Sequence, residues 1–197
     1  FSGDEPIIRG TFAELADNHP VIPDKLLLYS KKQYATRNPF ENASNHQPIP
    51  PEYDPASPIN WTWAWSITNK RSCLVPLTYC YMFSPYIENE CICPFNSNGN
   101  AAGNTIEEAV LQGLLELIER DAVAIWWYNR LHRSAIKIEN FDDPYFKNVS
   151  KHYTRFGYDL WVLDITHDLN VPVMVALARH KQSKGFFIGM GAHLDIS

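Results

Sequence analysis

The sequence predicts an α+β fold, a mixed but largely antiparallel sheet packed with helices, and three observations carry that expectation. A Gly/Asn-rich loop beginning at Ser97 feeds one long helix that runs to about Trp127. After Gly157 come three short apolar runs, Tyr158 to Ile165, Val171 to Ala178 and Gly185 to Gly189, close enough together to be antiparallel neighbours. Before the helix, Trp61-Thr-Trp-Ala-Trp65 alternates large and small residues, the pattern of a strand with its tryptophans on one face. Helices and strands interleave, yet the hairpin-like spacing favours antiparallel pairing over a parallel crossover sheet.

The first 58 residues are polar and rich in proline, an extended region with short apolar clusters. Ile7 to Leu15 predicts a short strand or turn followed by a helical start, and Leu26-Leu-Leu-Tyr29 a short strand. Asn38 to Pro58 holds six prolines among Asn and Ser, a long surface loop that wraps the core as a connector. From residue 59 onward the character changes to a strand and helix core. The tryptophan stripe of 61–65 is expected in that core, although such a stripe also suits stacking on an adenine or a peptide. A second strand from Cys73 to Leu77 completes a hairpin, with a solvated turn at Asn69-Lys-Arg71.

The four cysteines, Cys73, Cys80, Cys91 and Cys93, do not form a zinc knuckle, because Cys91-x-Cys93 is not the C-x2-C spacing. Reduced thiols with no secretion pattern fit a cytoplasmic protein. No apolar run approaches membrane-spanning length. A net charge of −5 argues against non-specific nucleic-acid binding.

Beyond the long helix, Arg130 to Phe141 is a connector holding a short strand at Ile136-Lys-Ile138. Pro144 opens another helix that runs to about Phe156 and stops at Gly157. His193, after a glycine turn, is most simply structural. His132, His167 and His180 share no ligand spacing with a carboxylate.

The candidate chemistry lies on the long helix. At about 100° per residue, Asn104, Glu108, Gln112, Glu116 and Glu119 fall on one arc, with Arg120 at its edge. Nearly every other position is apolar, and a helix apolar almost all round is expected to be buried. Buried carboxylates are costly unless paired, hydrogen-bonded or bound to metal. The stripe has three glutamates and one local cation, with no Lys between Ser97 and Trp127. Mg2+ takes oxygen ligands, commonly one or two carboxylates with substrate phosphates, and a helix start offers free N–H groups to anions. A Mg-nucleotide site is therefore one reading. Two bland readings stand beside it: Thr105-x-x-Glu108 is a capping box, and Glu116 and Arg120 are spaced to pair. Periodicity leaves these alternatives open.

The run Ser97-Asn-Gly-Asn-Ala-Ala-Gly103-Asn-Thr-Ile-Glu-Glu-Ala109, followed by Glu116-Leu-Ile-Glu-Arg-Asp-Ala122, resembles the central signature of the YcaO family. The likeness is to its branch of peptide cyclodehydratases that form thiazoles and oxazoles. Phe1-Ser-Gly-Asp-Glu5, Trp126-Trp-Tyr-Asn-Arg130, Asp159-Leu-Trp-Val-Leu-Asp164 and Gly189-Met-Gly-Ala-His-Leu-Asp195 carry it across nearly the whole chain. By that resemblance Glu116 and Glu119 match the family's Mg2+-binding glutamates, and Asn104, Glu108 and Arg120 match positions lining its ATP site. Where relatives carry a phosphate-contacting serine this chain has Ala101, so any contact there would come from backbone.

The resemblance implies ATP and Mg2+ as cofactors and a ribosomally made precursor peptide as substrate. It implies as partners a leader-binding E1-like protein, an FMN-dependent azoline dehydrogenase and a second copy of the chain as a homodimer. It also implies that residues 1–197 are the central fragment of a YcaO domain, inactive alone: an earlier acidic motif and a Pro-rich tail of longer members fall outside it. It assigns no catalytic residue. Alternative functions are a YcaO protein acting on another amide, by thioamidation or ribosomal-protein modification, or a scaffold that binds peptide without using ATP. The acidic stripe argues against the scaffold.

Overall fold

Trp61 is the residue around which the first sheet is assembled. Its side chain is fully buried, stands edge-on to Tyr53 at 6.4 Å between ring centroids, and packs in a cluster with Ile59 and Leu74. Its indole N–H donates to the Gly10 carbonyl at 2.9 Å, so the one polar atom of the ring is satisfied. The computed structural model that shows this describes residues 4–27, 29–37, 49–82, 85–87, 92–93, 95–183 and 185–195. It divides into two units, residues 1–96 and 97–197.

In the first unit, β1 (Ile7–Gly10), β2 (Ile59–Ser66) and β3 (Arg71–Pro76) form an antiparallel sheet in the order β1-β2-β3. Thus the strand at the start of the Pro-rich region pairs with the tryptophan strand, and both lie in the unit of residues 1–96. The three tryptophans alternate as expected, but only Trp61 is core; Trp63 and Trp65 are 41% and 62% exposed. The reason is the register. β1 pairs with β2 only as far as Thr62, and the side chains that cover Trp61 do not extend past it. The β2–β3 turn occupies residues 67–70, with Lys70 in the left-handed region at φ 50°, and Arg71 already pairs with Ser66.

Three further segments differ from expectation. Leu26 and Leu27 belong to a helical turn, α1 (Asp24–Leu27), rather than a strand; Leu28 lies outside the described residues. Pro23 fixes the entry, and its carbonyl accepts the Leu26 N–H at 2.8 Å. A second helix, α2 (Lys31–Thr36), falls in the stretch expected to be extended. Its signal is a capping box: Gln33 N–H donates to Ser30 Oγ while Ser30 N–H donates to Gln33 Oε1. β3 stops at Pro76, and the buried Leu77 opens another turn, α3 (Leu77–Cys80). Of the expected loop from Asn38 to Pro58, residues 38–48 lie outside the described residues, as does Cys91.

The second unit begins with the loop 97–104 and α4 (Ile106–Tyr128), capped by Thr105. β4 (Ala135–Ile136), α5 (Pro144–Arg155), β5 (Tyr158–Asp164), β6 (Val173–His180) and β7 (Phe186–Ala192) follow. The strands form one antiparallel sheet in the order β4-β5-β6-β7. Among the described residues every strand pairing is antiparallel, and the strands divide into two sheets. The α+β class therefore holds. The connector strand is shorter than expected, since Ile138 opens a 3-10 turn. Asp143 caps α5, Pro144 sits in its first turn, and Gly157 (φ 77°) follows its end.

α4 packs on this sheet through one face. Ala122 is buried with Ile165, Val173 and Val175, and Ile118, Val123 and Trp126 close around them. The expectation of a helix buried all round fails, for Ile106, Val110, Leu114 and Trp127 are exposed, Leu114 by 52%. An apolar circumference needs cover on every side, and the sheet of its own unit supplies one. Among the described residues no helix is long and apolar enough to cross a membrane.

Candidate functional site

The six polar residues of the arc separate into two groups. At the start of α4, Thr105 Oγ1 accepts the Glu108 N–H at 3.2 Å, and Glu108 Oε2 accepts the Asn104 N–H at 2.7 Å. This is the reciprocal logic of a capping box with the carboxylate reaching one residue further back than Thr105. Asn104, Glu108 and Gln112 are exposed. The bland reading of Glu108 is thus real: it closes the helix start.

Two to three turns on from Glu108, the residues Glu116, Glu119 and Arg120 form the second group. Glu116 Oε2 accepts the Gly99 N–H at 3.3 Å, which ties the loop to the helix. Glu116 Oε1 lies 3.6 Å from Arg120 Nε, and Glu119 Oε1 lies 3.7 Å from Arg120 Nη1. The same guanidinium meets the sheet, with Nη1 3.3 Å from Met190 Sδ on β7. Glu119 is the more enclosed carboxylate, its side chain 13% exposed. Both ion pairs are longer than good hydrogen bonds, so Arg120 balances the two carboxylates loosely. Two carboxylates against one guanidinium leave a net negative charge at the group.

Is this donor set suited to a hard divalent cation? Glu116 and Glu119 present oxygen donors from adjacent positions of one face, in the number that Mg2+ commonly takes from protein. Among the described residues no group of three or more His, Cys, Asp or Glu is gathered to hold a metal. The residues present fit Mg2+ as a two-carboxylate site completed by non-protein oxygens, and do not fit an all-protein cage. Arg120 is a fork suited to phosphate oxygens, at present turned to the glutamates.

The other candidates resolve as structural. His193 Nδ1 lies 2.9 Å from the Asp195 carbonyl and accepts its N–H, closing a local turn. His167 Nδ1 pairs with Asp168 at 2.8 Å, and this holds the Asp168 carboxyl below its usual range. His180 stacks edge-on with Tyr158. Cys73, Cys80 and Cys93 are free thiols. Burial, reinforced by a neighbouring thiol, pushes Cys80 up to about 11 and Cys93 up to about 12, which makes them inert rather than nucleophilic. Sequence reasoning missed Gly99 and Met190. Neither carries a chemical signal, one contributing backbone N–H and the other a thioether.

A family model described as YcaO cyclodehydratase, ATP- and Mg2+-binding, matches residues 1–197. The chain belongs to the YcaO family. Two solved structures agree. A heterocyclase in complex with substrate and cofactor is 42% identical over 99% of this chain, with a TM-score of 0.89, and the match covers 26% of its length. The heterocyclase TruD is likewise 42% identical over 99% of this chain, with a TM-score of 0.87 and 29% of its length covered. The YcaO protein of Methanopyrus kandleri, bound with AMPPCP and Mg2+, shares the fold over 78% of this chain and 39% of its own, at 23% identity and a TM-score of 0.57. The chain therefore spans under a third of the heterocyclases it matches. ATP and Mg2+ are the ligands by which the YcaO family is described.

Proposed function

We propose that this chain serves an ATP- and Mg2+-dependent cyclodehydration in which Cys, Ser or Thr residues of a ribosomally made precursor peptide become azolines. The reading is supported most by one observation: Glu116, Glu119 and Arg120 converge on one face of α4 in a chain that the YcaO model matches end to end. The side-chain thiol or hydroxyl attacks the preceding backbone carbonyl carbon, losing its proton as the new C–S or C–O bond forms. The former amide oxygen takes the terminal phosphoryl group of ATP, leaving ADP. Its C–O bond then breaks as phosphate departs, the nitrogen lone pair closes the C=N bond, and the amide proton is lost.

An amide oxygen is a poor leaving group and a phosphate a good one, so the protein's task is positioning and charge balance. Mg2+, when bound, neutralises phosphate charge. Glu116 and Glu119 hold it in this reading. Asn104 and Glu108, two helical turns or more toward the loop, would meet the nucleotide or orient a metal-bound water. Arg120 would meet phosphate charge, its fork suiting phosphate oxygens. Ala101 offers no hydroxyl, so the loop contributes backbone. The heterocyclases resembled here support a peptide substrate; one of them is a complex with substrate and cofactor. A leader-binding partner protein, an azoline dehydrogenase, a homodimeric state and a cytoplasmic location belong to the same proposal.

Calorimetric titration of ATP into the parent-length protein, in the presence of Mg2+ and precursor peptide, tests it. Glu116→Gln and Glu119→Gln are expected each to weaken binding at least tenfold. Unchanged affinity in both variants overturns the assignment of the site.

A further inference from the structure

Gly113 lies in the middle of α4, where glycine is the poorest choice other than proline. It is one of only three buried residues of that helix, and what buries it is the backbone of the loop. A Cβ at position 113 would stand 2.5 Å from the Gly99 carbonyl oxygen, short of the 3.0 Å that such contacts require, and 3.8 Å from Ala101 Cβ. Backbone cannot swing aside as a side-chain tip can. Gly99 itself is at φ 85° with Leu117 packed against the place a side chain would occupy, so it is committed to that seat. On the next turn of the same helix face, Gly99 N–H donates to Glu116 Oε2.

We infer that Gly113 is a positioning residue: its missing side chain seats the 97–104 loop so that the Gly99 amide fixes the Glu116 carboxylate. That Glu116 is a Mg2+ ligand rests on the reading above; the seating does not. At 3.3 Å the amide–carboxylate contact has no slack. A loop displaced by about half an ångström loses it, since hydrogen bonds weaken quickly beyond this length. Glu116 then regains its rotamers, and a ligand loosened on that scale costs binding out of proportion to the movement.

The helix and the site respond to Gly113→Ala in opposite directions, which separates positioning from a merely structural role. Alanine favours the helix, so helix content holds while the site loosens. The direct readout is the hydrogen-exchange protection of the Gly99 amide in the 197-residue chain. In the wild type the Glu116 carboxylate covers that amide, and Glu116→Ala is expected to lower its protection roughly tenfold. Gly113→Ala is expected to lower it as far, whereas Ala122→Gly, which weakens the helix elsewhere, retains it.

With Mg2+ and ATP added, Gly113→Ala is expected to bind roughly tenfold more weakly than the wild type. Gly99 protection that survives Gly113→Ala, or that is indifferent to Glu116→Ala, overturns the inference. If the parent-length protein with its peptide ignores ATP while the amide behaves as expected, the functional reading fails and the seating stands.

Discussion

Arg120 Nη1 lies 3.3 Å from Met190 Sδ, so the guanidinium that balances two glutamates of α4 also rests on the last strand of the sheet. A lysine in its place keeps the charge but loses the planar fork that reaches three groups at once. Because Arg120 is half exposed, Arg120→Lys is expected to change folding stability by less than about 1 kcal/mol. Affinity for ATP with Mg2+ is expected to fall roughly tenfold, the size of losing one charge-assisted hydrogen bond. Urea unfolding and calorimetry on the same variant check both halves.

The start of α4 offers a separable test. Thr105 supplies the side chain that receives the Glu108 N–H. Thr105→Ala is expected to cost about 1 kcal/mol of stability and Thr105→Ser almost nothing. Equal unfolding midpoints for the alanine variant and the wild type would show that the Glu108–Asn104 contact alone holds the turn.

Ile165 sits at 0% exposure where α4 meets the sheet. Trimming it to alanine is expected to cost about 2–5 kcal/mol and to valine about 1 kcal/mol, the difference measuring how far α4 collapses into the space. Denaturant midpoints at a shared slope give the comparison.

The thiols of Cys80 and Cys93 are protonated well beyond neutral pH in the folded chain. A folded pKa above the unfolded value favours folding below the unfolded pKa of roughly 8.5–9, and that contribution is lost as pH climbs toward 11 and 12. Stability is expected to decline from about pH 9 upward. At pH 8 a thiol reagent is expected to label these two cysteines slowly in the folded protein and rapidly in denaturant. Serine substitution of each identifies its share.

Much of the second unit was legible because its signals are local. Pro144 at the opening of a helix, Gly157 after its end, and three apolar runs of strand length announce α5, β5, β6 and β7 to within two or three residues. The arc of Glu116, Glu119 and Arg120 was equally legible, since helical period alone brings them together. What escaped depends on partners distant in sequence. Nothing within Trp61-Thr-Trp-Ala-Trp65 says that β1 stops at Thr62 and leaves Trp63 and Trp65 uncovered. An all-round apolar pattern does not say which sides are covered: the sheet of its own unit takes the Ala122 side, the loop takes Gly113, and Val110 and Leu114 stay exposed. α2 was missed for a different reason: composition spoke for loop, while the Ser30 and Gln33 box that decides the matter is two side chains long.

The order β4-β5-β6-β7 has a kinetic meaning. Each strand lies beside the one that precedes it in the chain, and only residues 165–172 and 181–185 separate β5 from β6 and β6 from β7. Closing such short connections costs little entropy, so hairpins can be added one at a time. As the polypeptide leaves the ribosome, every new strand finds its neighbour already waiting. α4 is made earlier still, and its Ala122 side is the apolar surface on which that sheet packs.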